Sequence, residues 1–197
     1  MSIALTLAGV IPPLATPLTA SGDVDTRSLE RLARRTLDAG VAGLFVLGST
    51  GEVAFLTDDQ RTTVVETVVR VADGRVPVLA GSIDMTTPRV RRHITAVTAA
   101  GADAVVVTAP FYTRTHPVEI RRHFRMIAAD SSVPVVAYDI PSAVGTKLDT
   151  DTVLDLAADG TISAVKDSSG DDVGLRRLVL GARDRGSTDS RSSPGPS

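Results

Sequence analysis

The run Ala104-Val105-Val106-Val107-Thr108, then Pro117, Ile120, Phe124 and Ile127, then Val133-Pro134-Val135-Val136-Ala137-Tyr138, decides the fold of this chain. Two short β-branched runs flank a segment whose apolar residues recur at helical spacing. A strand without polar alternation is buried on both faces, and a helix between two such strands is the crossover of a parallel pair. Pro117 suits a first helical turn, where a missing N–H costs nothing.

Outward from this unit the pattern repeats. Apolar runs at 9–16, 43–47, 76–80, 104–108, 133–138 and 162–166 predict six strands. Their starts lie about thirty residues apart, the length of a βα unit with its loops. Asp25 caps a helix carrying Leu29, Leu32, Ala33, Thr36 and Leu37 on one face, with Gly40 as its stop. Thr57 and Gln60 have capping-box spacing before Val64, Val65, Val68 and Val69. Thr87-Pro88 reads as N-cap and first helical residue ahead of Val90, Ile94 and Val97. Asp149 or Thr150 opens a helix with Val153, Leu154 and Ala157, closed by Gly160, and a last helix is predicted from Asp172 to Leu180. Alternating strands and helices imply a parallel sheet, either open and doubly wound or closed as a (β/α)₈ barrel. No Gly-x-Gly-x-x-Gly or phosphate-loop motif follows the first run, which favours the barrel, whose chemistry lies at the C-terminal ends of the strands.

Composition narrows the function classes. At 197 residues and 43% apolar the chain can build a sizeable core. A net charge of −2 supplies no basic footprint for nucleic acid or an anionic membrane. The absence of cysteine excludes disulfides, thiolate metal sites and a cysteine nucleophile, and fits the cytoplasm. Pro12, Pro13 and Pro17 interrupt the N-terminal apolar stretch, so no signal peptide is read there, and no apolar run approaches the length of a membrane span.

Several predicted strand ends carry reactive groups. Gly48-Ser49-Thr50-Gly51-Glu52 offers backbone N–H groups and hydroxyls to a small carboxylate, although a glycine turn with a polar tip reads equally well. Tyr112 and Tyr138, the two tyrosines of the chain, both fall at strand ends, where with Thr50 they can pass a proton. Lys166 closes the sixth run. A poorly solvated strand-end lysine has a lowered pKa, and a neutral amine attacks a ketone to form a Schiff base, whereas the plainer reading is an ion-paired lysine. His93, His116 and His123 lack the spacing of a helical zinc site, so no metal is expected, and the arginine pairs read as solvated helix faces.

Gly48-Ser49-Thr50-Gly51-Glu52, Tyr138-Asp139-Ile140-Pro141 and Lys166-Asp167-Ser168-Ser169-Gly170-Asp171, in this order, resemble the dihydrodipicolinate synthase/N-acetylneuraminate lyase family over residues 8–182. The resemblance implies a TIM (β/α)₈ barrel, an aldolase or lyase acting on pyruvate or another 2-oxo acid and an aldehyde, and no cofactor beyond the lysine imine. Lys166 would form the Schiff base, and Tyr138 would transfer the proton. Ser49, Thr50 and Gly51 would bind the 2-oxo acid carboxylate. Tyr112 would complete the relay by reaching into a neighbouring subunit of a dimer-based tetramer. Ala143 stands where dihydrodipicolinate synthases usually carry an arginine for the second substrate's carboxylate, a departure that weighs against lysine biosynthesis, which stays open as an alternative.

The family barrel has eight strands, and six are read here. Residues 1–182 are therefore read as an incomplete barrel and 183–197 as a polar disordered tail. If Ser187, Ser190, Ser192 and Ser193 use TCN codons, Arg191 CGN and Ser197 AGC or AGT, the frame starting at the third base of the Gly186 codon permits Val-Asp-Gly-Phe-Ser-Val-Leu-Thr-Gly-Pro-Glu, which resembles the family's seventh strand. The tail is accordingly read as a frameshift product. An unclosed sheet exposes two edges and an unfilled interior, so poor stability is expected, with an inactive remnant as the third reading.

Overall fold

The computed structural model describes residues 7–189. Five parallel strands form one sheet, in the order in which they occur in the chain: β1 (Leu44–Val46), β2 (Val78–Gly81), β3 (Ala104–Thr108), β4 (Val135–Asp139) and β5 (Ala164–Asp167). Seven helices are interleaved: α1 (Thr26–Asp38), α2 (Asp58–Ala72), α3 (Thr87–Ala99), α4 (Pro117–Asp130), α5 (Pro141–Val144), α6 (Thr150–Ala158) and α7 (Asp172–Asp189). The architecture is α/β, a parallel partial barrel. Among the described residues no helix is long and apolar enough to cross a membrane.

Alternation along each strand separates two cores, because successive side chains leave opposite faces. Leu44, Val46, Val78, Ala80, Val105, Val107, Val135 and Ala137 face the helices. There they meet Val64 and Val68 of α2, Ile94 of α3, and Phe124 and Ile127 of α4. Each large side chain buried this way contributes roughly 1.5–3 kcal/mol. Phe45, Leu79, Ala104, Val106, Val136 and Tyr138 form the second, inner cluster. Lys166 shares the inner face of β5 with Ala164, whereas Val165 joins the helix side.

The caps are mostly where the sequence places them. The Asp25 carboxylate accepts from Ser28 N–H, Thr57 and Gln60 form the reciprocal box, and Asp149 accepts from Thr152 N–H. Thr86, not Thr87, caps α3, which frees the Thr87 hydroxyl for His123 Nδ1 at 2.8 Å.

Three expectations are corrected. Residues 9–16 run beside β1 but form a single bridge, Pro13 to Phe45, instead of a strand. Leu14 N–H donates to the Phe45 carbonyl and Phe45 N–H to that of Pro12, yet Pro12 and Pro13 have no N–H to extend the ladder. The last helix runs on to Asp189, so 183–189 are helical, not a disordered tail. Arg185 Nη1 bonds Asp155 Oδ1 at 3.1 Å, and Gly181 lies against Leu154, contacts that hold the helix to α6. The rest of the predicted tail, 190–197, lies outside the described residues. Two short elements went unread: α5, and a 3-10 turn at Val53–Phe55.

Candidate active site

The inner-face residues at the C-terminal ends of β1, β4 and β5 meet at one mouth. Tyr138, 2% exposed, stands in register with Lys166 on the neighbouring strand. The Lys166 Nζ lies 3.9 Å from the centroid of the Tyr138 ring and 6.0 Å from that of Phe45. It also donates to Ser168 Oγ at 2.8 Å. The Tyr138 hydroxyl reaches Ser49 Oγ at 3.3 Å, and Phe45 meets the Tyr138 ring edge-on at 6.3 Å.

The phenol sits between opposing influences. Burial pushes its pKa up, but hydrogen bonds with Ser49, Lys166 and Ser168 and the Lys166 charge outweigh that and hold it below its ordinary value. A phenol eased toward ionisation beside an amine is suited to moving protons.

The loop after β1 is built by close backbone approach. Leu47 is fully buried with φ 58°, and Glu52 has φ 55°. Such left-handed conformations are costly for residues with a Cβ and persist only where surrounding contacts fix them. Gly48 permits the fold-back, since a Cβ there would come within 2.6 Å of the Phe45 ring. Gly51 N–H and Val53 N–H both donate to the Gly48 carbonyl, and Thr16 Oγ1 donates to the Gly51 carbonyl at 2.8 Å. Ser49 and Thr50 are left exposed on the tip.

The structure brings Lys166, Tyr138 and Ser49 together, with Thr50 and Gly51 adjoining on the loop. It does not bring Tyr112 to them: that side chain is 89% exposed, on a backbone with φ 80°. The poor solvation expected of Lys166 is also not reached, because β5 is an edge strand and all four of its residues are half-buried.

Two polar clusters escaped the sequence reading. Asp139, at the end of β4, is buried and accepts from the Lys147 ammonium and from Leu148 N–H. Arg61 is buried beneath the loop, with Nη2 donating to the Val53 carbonyl at 3.0 Å and Nη1 2.9 Å from His93 Nε2. Asp84 Oδ2 lies 2.8 Å from the same His93 nitrogen. Burial alone would raise the Asp84 pKa, but bonds from Arg89, His93 and the Met85 N–H bring it down to about 2. No local motif announces these residues; the one available signal is that Arg61 stands three and four residues before Val64 and Val65, on the buried face of α2.

A parallel partial barrel with a lysine standing over a phenol at the strand ends defines a βα-barrel class of site. The Dihydrodipicolinate synthetase family profile matches residues 6–185, and the chain belongs to this family. It is 40% identical over 167 residues, 85% of the chain and 55% of the relative, to an uncharacterized DapA-like lyase of Halobacterium salinarum. It is 35% identical, over 80% of the chain and 54% of the relative, to the 4-hydroxy-tetrahydrodipicolinate synthase of Exiguobacterium sibiricum. Its fold superposes with TM-score 0.86 and 30% identity on a prophage protein of this family from E. coli K12 solved in complex with pyruvate, covering 91% of this chain and 60% of that one. The chain spans about half the length of the curated relatives it matches.

Proposed function

We propose that this chain carries the 2-oxo acid half of a Schiff-base aldolase or lyase site. The observation that carries the reading is the Lys166 ammonium held 3.9 Å over the buried Tyr138 ring, whose hydroxyl reaches Ser49. Lys166, deprotonated, attacks the 2-oxo carbon of pyruvate or a related acid, and the carbinolamine hydroxyl takes a solvent proton and leaves as water to give a protonated imine. The imine is an electron sink, so C3 gives up a proton to the Tyr138 phenolate and becomes an enamine. Enamine C3 then attacks an aldehyde carbon, and the carbonyl electron pair moves to oxygen, which takes the proton back from Tyr138. Water cleaves the imine and restores the amine. Run backward, the same steps break the carbon–carbon bond. Ser49 and Thr50, through their hydroxyls and their own backbone N–H groups, would hold the acid's carboxylate.

A soluble homo-oligomer of the whole protein, with Tyr112 serving a neighbouring site, accords with the exposure of that side chain. Borohydride trapping tests the core reading. The chain is incubated with pyruvate, reduced, and mapped by peptide mass. A stoichiometric adduct on Lys166 that disappears in Lys166→Arg is expected. An intact protein with no adduct, or with the adduct elsewhere, overturns it.

A further inference from the structure

Beside Tyr138 lies a cavity of about 230 Å³, running from the Ser49 loop to α5. Its walls are mainly apolar, with Phe55, Ile83, Phe111, Ile140, Ala143 and Val144 contributing. Its one charged lining residue is an acid, Glu52, and no lysine, arginine or histidine lines it among the described residues. Thr108 also lines it, 1% exposed, its hydroxyl unpartnered. Outside the walls, Lys166 stands behind Tyr138, Arg61 lies beneath Val53, and Arg114 lines an adjoining crevice that shares Phe111, Ala143 and Val144 with the cavity.

We propose that this cavity takes an uncharged, apolar aldehyde, of aryl or compact alkyl type, as the partner of the 2-oxo acid. This rests on the Schiff-base reading above and names its second substrate class. A carboxylate entering the cavity would lose its water, find no cation in the walls once Lys166 is taken up as the imine, and face Glu52, a combination that burial penalises heavily. An aromatic ring loses nothing of the kind: an apolar cavity of about 150 Å³ is enough to hold benzene. The aldehyde oxygen would point at Tyr138, where the proton is delivered.

Binding tests this independently of Lys166 chemistry. Benzyl alcohol and 4-hydroxybutyrate are the reduced, unreactive forms of an aryl aldehyde and of a carboxylated one. Calorimetric titration of the chain with each should show benzyl alcohol binding more tightly by at least about tenfold, the ratio that 1.4 kcal/mol confers. Ala143→Trp, which fills the cavity from α5, should abolish benzyl alcohol binding. Equal or tighter binding of 4-hydroxybutyrate, no benzyl alcohol binding, or binding unchanged in Ala143→Trp overturns the proposal. So does 4-hydroxybutyrate binding that is lost in Arg114→Ala, which would place carboxylate recognition in the adjoining crevice. Pyruvate trapping in parallel separates this from the Schiff-base reading: an adduct without benzyl alcohol binding sinks only the aldehyde class.

Discussion

The Lys147 ammonium bonds Asp139 Oδ2, one residue beyond Tyr138, and Asp139 Oδ1 accepts from Leu148 N–H at 3.1 Å. The carboxylate is thereby tied to the segment that follows α5, so the end of β4 and one side of the cavity share an anchor. Asp139 is buried while Lys147 is partly exposed, so removing the lysine leaves a buried carboxylate without its cation, with solvent screening part of the loss. Lys147→Met should cost about 1–2 kcal/mol of unfolding free energy in denaturant titration, while Lys147→Met with Asp139→Asn should recover most of it. Equal losses in the single and double variants would show that the pair is not what holds this segment.

Tyr138→Phe keeps the ring under Lys166 but deletes the hydroxyl that meets Ser49. Imine formation should survive, because the amine is untouched. Proton exchange at C3 of pyruvate should slow by about 10²–10⁴-fold, the range for a lost positioned acid–base group. Deuterium incorporation followed by NMR reads this directly, and an unchanged exchange rate would remove Tyr138 from the proton path.

Gly81 faces the strained Leu47 backbone across the sheet. A Cβ at Gly81 would lie 1.9 Å from the Leu47 carbonyl oxygen, a backbone atom that cannot swing away. Gly81→Ala should destabilise by about 3 kcal/mol, at the upper end of overpacking costs, and should weaken pyruvate capture by displacing the Ser49 loop. A stability change under about 0.5 kcal/mol, the size of an ordinary surface substitution, would show that the approach is looser than described.

Acid should loosen the packing between α3 and α4. His123 is 2% exposed, and burial pushes its pKa from 6.5 down to about 4 against the pull of the Thr108 backbone. Between those two values the unfolded chain binds a proton that the folded chain refuses. Stability is therefore full above pH 6.5 and falls as pH drops toward 4, by about 3 kcal/mol. Melting temperature against pH should show this slope in the native chain, and His123→Phe should flatten it. A slope that persists in the variant would assign it to other groups.

The fold was legible wherever local chemistry and burial agree. The β-branched run of β3, Pro117 at the start of α4 and the Thr57–Gln60 box each carry their structural meaning within a few residues. The first strand misled because its apolar pattern outweighs two missing N–H groups at Pro12 and Pro13. Tyr138 and Lys166 could be singled out because each closes an apolar strand, and Ser49 because its glycine-flanked loop follows one. Asp139–Lys147 and Arg61–His93–Asp84 were not, because their partners are separated along the chain and meet only through tertiary packing. The exposure of Tyr112 depends equally on surroundings that a sequence does not display.

Strand order in the sheet follows strand order in the chain. Each new strand emerging from the ribosome therefore finds its neighbour already made, and pairing can proceed stepwise without waiting for a distant segment. During such growth the Ser49 loop comes first, the phenol of Tyr138 about three βα units later, and the amine of Lys166 last. The Lys166 amine is thus added to a pocket wall that already exists, and a nascent chain halted before β5 would hold the cavity without it.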